Sequence, residues 1–143
     1  YSQGKIKLRI VAHSLGGLIT RVALLDPDFA RRVDKVVFLG TPHQGVIRYD
    51  IPFPKVVSEL KKNSRTIKRL QSEPLHGSPR YYNLRAGNDL VTPMTATFLP
   101  HVHSITFDDV GHLGLLTDYR VLNSVVEILE SPFYDQRVES EVG

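Results

Sequence analysis

Cysteine is absent from the 143 residues. That excludes a disulfide framework and a thiolate metal site, and leaves the redox compartment open. No apolar run approaches the roughly 18 to 20 residues that a membrane-spanning helix needs. No signal-peptide pattern is visible, and there are no internal repeats or low-complexity segments. Charge of one sign is also scarce: 18 Lys and Arg stand against 15 Asp and Glu, a formal net charge of +3. Such mild basicity gives no electrostatic case for nucleic acid. What is present, 41% hydrophobic and 23% charged residues, is the composition of a globular domain with a sizeable core.

The chain turns on residues 8 to 19, Leu-Arg-Ile-Val-Ala-His-Ser-Leu-Gly-Gly-Leu-Ile. A strand-like run, Ile6 to Val11, meets a tight turn at Ser14 and continues into a helix-like run, Leu15 to Leu25. This is the G-x-S-x-G nucleophile-elbow pattern with Ala12 in place of the first glycine. The turn needs small residues, so Ala12 and Gly16 are expected to approach each other closely. The plain alternative is a Ser-Gly turn in an ordinary strand–helix unit.

Asp26-Pro27-Asp28 is expected to stop that helix, with a short turn through Phe29 to Arg32. The second strand is Asp34 to Leu39, ending at Gly40, and the loop Thr41 to Gly45 follows it. Residues 46 to 53 are irregular. Pro54 suits the first turn of a helix covering Val56, Val57 and Leu60, and Ile67 with Leu70 marks a second short helix. Pro74, Gly77 and Pro79 punctuate a loop. The third strand is Arg80 to Ala86 and the fourth Val102 to Phe107; apolar spacing then predicts a helix over 121–129. Strands alternating with helices argue for an α/β fold with a mainly parallel sheet.

Three chemically capable side chains fall at carboxyl ends of strands, where open α/β sheets bind ligands. They are Ser14, Asp89 and His112, in the chain order of the α/β-hydrolase triad. A serine hydroxyl is a poor nucleophile until a histidine takes its proton, and a carboxylate on the other ring nitrogen holds the tautomer. The backbone N–H of Leu15 would be one oxyanion donor. His13 is expected to turn away from the nucleophile into a packing or supporting role; it joins His43 and Leu113 as candidates for contact with substrate. His76 lies in a Pro/Gly loop, and His101 and His103 lead into the wrong end of the fourth strand. Asp108 and Asp109 are rivals for the acid but sit close to His112 along the chain, and Asp50 lies in the irregular segment. Asp89 is equally compatible with plain turn chemistry, since Gly-Asn-Asp favours turns.

Four motifs together resemble a family. Ala12 to Gly17 is similar to the A-H-S-x-G-G elbow of bacterial lipases of the α/β-hydrolase superfamily. Gly40 to Gly45 resembles their G-T-P-H-x-G loop after strand six, Gly87 to Val91 their acid loop, and Gly111 to Leu116 the G-H-x-G-L-L segment around their histidine. The likeness spans residues 6 to 130, and the small Bacillus-type lipases are nearest for the elbow and the histidine segment. It implies Ser14 as nucleophile, Asp89 as acid and His112 as base, in ester hydrolysis through an acyl-enzyme without metal or organic cofactor. Residues 1–134 would form the C-terminal portion of one hydrolase domain, strands five to eight of the family order. Residues 46–79 would add a cap-like insertion, and 135–143 a polar tail.

Family members carry several strands before the elbow, including the loop that supplies the second oxyanion donor. The resemblance therefore implies that the chain extends beyond Tyr1 in nature, and that the 143 residues alone are weak or inactive. The strand at 6–11 would pair with an N-terminal part of the fold or with another chain. The substrate would be a small-molecule ester or lipid. Lys61, Lys62, Arg65, Lys68 and Arg69 form either a solvated helix face or a site of transient contact with an anionic lipid surface. Acyl transfer, amide hydrolysis and a non-catalytic complementing subunit remain alternatives.

Overall fold

A computed structural model describes residues 7–46, 58–73, 75 and 79–132. Tyr1 to Ile6, Asp50, His76, the tail 135–143, residues 47–57, 74 and 76–78 of the insertion and most of the helix expected after Pro54 lie outside the described residues.

Strand β1 (Leu8–His13) leads into α1 (Leu15–Ala23), then α2 (Pro27–Ala30) and β2 (Val33–Leu39). Helix α3 (Arg65–Ser72) precedes β3 (Arg80–Ala86) and β4 (His103–Phe107). A 3-10 turn (Leu113–Leu116) and α4 (Tyr119–Glu130) complete the described order. The four strands form one sheet in the order β1-β2-β3-β4, and every pairing is parallel. This is the α/β architecture with a parallel sheet that the alternation of strands and helices predicts.

Burial explains the two-sided pattern. A parallel sheet covered on both faces needs strands that are apolar on both. In β2, Val33, Val36, Val37, Phe38 and Leu39 are all buried. Val37 and Leu39 join Tyr82, Leu84 and Ala86 against Val121, Val125 and Ile128 of α4. Val36 and Phe38 face the opposite way, toward Leu99, Leu24 and Phe29. Leu18 of α1 packs with Ile67 and Leu70 of α3 in a third cluster.

Two local expectations need correction. Asp26-Pro27-Asp28 ends α1 but does not lead into a plain turn. Asp26 accepts from the Asp28 N–H and Pro27 takes the first helical position, so the same residues open α2. Gly16 is not pressed against Ala12: a Cβ placed there would meet nothing within 4 Å. Gly17 is the tight position, where a Cβ would fall 2.0 Å from Thr41 Oγ1. That glycine lets α1 lie on the loop after β2.

Lys35 is fully buried at the start of β2. Its ammonium donates to the carbonyls of Ile128, Leu129 and Ser131. These are carbonyls that a helix end leaves unpaired, where the helix dipole favours a cation. Burial lowers the Lys35 pKa.

β1 pairs only with β2 among the described residues. Leu8 and Val11 on β1 are 41% and 44% exposed, and Ile19 and Val22 on α1 are exposed as well. An apolar edge with unpaired backbone groups is a template for another strand. The 143-residue chain should therefore self-associate with rising concentration in light scattering, and Val11→Lys should restore the monomer. A monomer at every concentration for the unaltered chain would rule out this edge as a pairing surface.

Candidate active site

Parallel pairing brings the carboxyl ends of β1 to β4 to one edge. Ser14 directly follows β1, and its N–H donates to Leu39 O at 2.8 Å, so the turn begins while strand pairing still holds. The chain must then reverse within one residue to enter α1. Ser14 does so at φ 52°, ψ −126°, in a region that costs a non-glycine residue about 1–3 kcal/mol. The strain lifts the hydroxyl off the strand end.

His112 precedes the 3-10 turn. Its Nε2 lies 3.0 Å from Ser14 Oγ, and its Nδ1 lies 2.7 Å from Asp89 Oδ2. An Nδ1–H donating to the carboxylate leaves Nε2 to accept from the serine hydroxyl, which is the order general-base chemistry needs. The Asp89 side chain is almost fully buried and that of His112 nearly so. Asp89 Oδ1 accepts from the Val91 and Thr92 N–H groups at 2.8 and 2.6 Å. The backbone turn of its own loop thus aims the other oxygen at His112. Gly87 lets the two loops close together, because a Cβ there would fall 2.5 Å from Asp108 Cα. Asn88 N–H then donates to Val110 O at 3.0 Å.

The three side chains placed at strand ends by the sequence thus form a series, with Ser14 and Asp89 each within hydrogen-bond reach of the His112 ring. Leu15 opens α1, so its N–H has no intrahelical acceptor and is available to an oxyanion. Leu113 is 71% exposed next to His112 and is free to touch a ligand.

His13 does not turn away from the site. Its ring lies 4.6 Å from that of His112 at 48°, and its Nε2 is 3.1 Å from His112 O. It clamps the histidine loop onto the elbow. Burial lowers its pKa, with the His112 carbonyl pulling the other way.

His43 is corrected more sharply: it is fully buried and has no route to a substrate in this conformation. Its Nε2–H donates to Asn83 Oδ1 at 3.4 Å, Nδ1 faces Arg21 Nη1 at 3.5 Å, and the ring packs edge-on against Phe38. Asn83 in turn donates to Thr97 O and Ser104 Oγ. Burial, reinforced by the Arg21 charge, pushes the imidazole pKa down to about 3. Arg21 is also buried; burial lowers its pKa to about 10, and its guanidinium is held by the carbonyls of His43 and Leu70.

Of the rival acids, Asp109 is exposed and paired with Arg120, while Asp108 is exposed. Among the described residues no group of three or more His, Asp or Glu is placed to hold a metal ion.

Gly40 escaped the sequence reading as a site residue. It takes φ +56°, and a Cβ there would lie 2.8 Å from Leu115 Cδ1, 3.5 Å from His112 Nδ1 and 3.6 Å from Asp89 Oδ2. The signal was visible as a glycine closing a buried strand.

A family profile described as the PGAP1-like alpha/beta domain matches residues 1–108. The chain belongs to this family. No curated protein matches the PGAP1-like chain by sequence. Among solved structures it is similar to the monoacylglycerol lipase of Paleococcus ferrophilus, at TM-score 0.57 and 14% identity over 87% of this chain and 67% of that one. It is also similar to the mouse alpha/beta hydrolase domain-containing protein 10, at TM-score 0.57 and 13% identity over 89% and 62%. Aspergillus fumigatus lipase B aligns at TM-score 0.54 and 15% identity over 77% and 33%. The PGAP1-like chain thus spans between a third and two-thirds of the length of these structures. At such identities the likeness carries the fold alone: the chain has a partial α/β-hydrolase fold.

Two outcomes follow for the PGAP1-like chain. Gly40→Ala should destabilise it by roughly 1–3 kcal/mol in chemical denaturation, through both the positive φ and the Leu115 collision. The unfolded chain protonates His43 near the ordinary 6.5, whereas the folded chain does so only near 3. Stability should therefore fall as pH drops through that window, by up to about 1.4 kcal/mol per pH unit from this residue, and be unaffected above it. His43→Gln should flatten that slope in denaturant titrations at stepped pH; an unchanged slope would exclude His43 as its source.

Proposed function

We propose that the chain is the triad-bearing part of a serine carboxylester hydrolase that works through an acyl-enzyme. One observation carries the reading: the unbroken line from Ser14 Oγ through the His112 ring to the Asp89 carboxylate, at 3.0 and 2.7 Å. In this mechanism Ser14 Oγ attacks the ester carbonyl carbon while its proton passes to His112 Nε2. Asp89 stabilises the imidazolium and keeps its orientation. The developing oxyanion accepts from the Leu15 N–H. Collapse of the tetrahedral intermediate breaks the bond to the alcohol oxygen, which takes the proton from His112. Water, deprotonated by His112, then releases the acid and restores Ser14. No metal or organic cofactor enters these steps.

Residues 1–134 are read as the C-terminal portion of one hydrolase domain, with residues 46–79 as a cap-like insertion. The open β1 edge supports pairing with a complementing segment, from an N-terminal part of the fold or another chain, which would bring the second oxyanion donor. A chain with one oxyanion donor should turn over esters about 10²- to 10³-fold more slowly than the complemented protein. Leu90, Val91, Leu113 and Leu116 are exposed on loops that carry or follow the triad side chains. They support an ester or lipid substrate and brief contact with a lipid surface. The non-catalytic alternative, a complementing subunit, rests on the same β1 edge.

A fluorophosphonate ester should label Ser14, read by mass spectrometry of the intact chain and its peptides. Ser14→Ala should abolish the adduct, and His112→Ala should slow its formation by about 10³-fold or more. Labelling that is indifferent to His112→Ala would overturn the mechanism. No adduct even after complementation of the β1 edge would favour the non-catalytic subunit.

A further inference from the structure

Arg85 stands near the end of β3, on the sheet face opposite Leu84 and Ala86. It is a half-buried cation with no carboxylate partner among the described residues. Its Nη2 donates to Thr106 Oγ1 at 3.0 Å, and its Nε is buried without a partner. Nη1 has no acceptor among the described residues. A desolvated cation is costly unless an anion or a set of acceptors compensates it.

Arg85 lines a cavity of about 480 Å³ with Gln44, Lys62, Met94, Ala96 and Phe98. Two of these side chains are cations, none is a carboxylate, and the 94–98 wall is largely apolar. Neither Ser14 nor His112 lines the cavity. The walls are tied in place. Gln44 N–H donates to Ala96 O at 2.9 Å, and Gln44 Nε2 donates to Phe98 O at 2.9 Å. Lys62 N–H donates to Val46 O at 3.1 Å, beside the parallel bridge of Val46 with Lys61. Gly45 permits that approach, because at φ +92° its Cβ would fall 2.6 Å from Lys62 N.

We propose that this cavity binds an amphiphilic carboxylate of the fatty-acid class, with its carboxylate on Arg85 and Lys62 and its chain along Met94, Ala96 and Phe98. Two cations and an apolar wall lining one cavity match an ion with a tail. A bare inorganic anion would leave that wall unused, and a neutral alcohol would leave the cations unpaired. The volume falls within the ordinary range of ligand pockets. The cavity shares the 89–98 loop with Asp89, so occupancy would also brace the loop that aims the acid.

The proposal does not depend on the chemistry of Ser14, and the Ser14→Ala chain is the protein to test. Calorimetric titration should show octanoate binding more tightly than 1-octanol, acetate or inorganic phosphate. Amide NMR shifts should concentrate at residues 44, 45, 62, 85 and 94–98. Arg85→Gln keeps a donor for Thr106 and should weaken octanoate by about tenfold or more, leaving octanol unchanged. Lys62→Gln, an exposed position with little risk to folding, should weaken octanoate by about threefold. Octanol binding as tightly as octanoate would overturn the proposal, as would phosphate doing so or an octanoate affinity indifferent to Lys62→Gln. These outcomes leave the labelling of Ser14 untouched, so failure here is separable from failure of the hydrolase reading.

Discussion

Parallel pairing of β1 to β4 in chain order is the constraint on which the site depends. It sends all four carboxyl ends to one edge of the sheet. Residues far apart in the chain then meet there: Ser14 after β1, Gly40 after β2, Asp89 after β3 and His112 after β4. The register also explains why so little extra structure is needed. Ser14 N–H still pairs with Leu39 O, and Gly40 N–H with Leu84 O. Each functional loop therefore leaves the sheet from a fixed point.

The strands were the easiest features to read, because runs such as Val36 to Leu39 and Tyr82 to Leu84 are buried on both faces and spell it out in composition. Their ends were less legible: β1 begins and finishes two residues later than expected, since His13 still pairs with Leu39. The three chemical side chains were visible as types at strand ends, and their mutual distances were not. What failed was local steric detail. Asp26-Pro27 stops one helix and starts another, and the same letters encode both. Gly16 and Gly17 look equivalent in sequence; only the position of Thr41 separates them. His43 looked like a pocket residue because its loop follows a strand, yet Phe38, Asn83 and Arg21 close over it. His13 was expected to face away, but the path of the His112 loop, which returns across the elbow, brings the two rings together.

Buried cations in this fold are held by carbonyl oxygens rather than carboxylates. Lys35 Nζ serves the end of α4, and Arg21 serves Leu70 in α3 and the loop at His43. Each ties a helix to the sheet layer using acceptors that the helix or loop leaves unused. Neither cation has a carboxylate within hydrogen-bond distance among the described residues, whereas the buried Asp89 carboxylate is answered by His112.

Gly40 has a wider meaning for how this site could change. With Leu115, His112 and Asp89 all close to the place a side chain would occupy, the floor beneath the imidazole–carboxylate pair is bare main chain. Nothing can be added from below without displacing the pair. A group added to contact the pair must therefore come from the solvent side, where Leu90, Val91 and Leu113 are exposed.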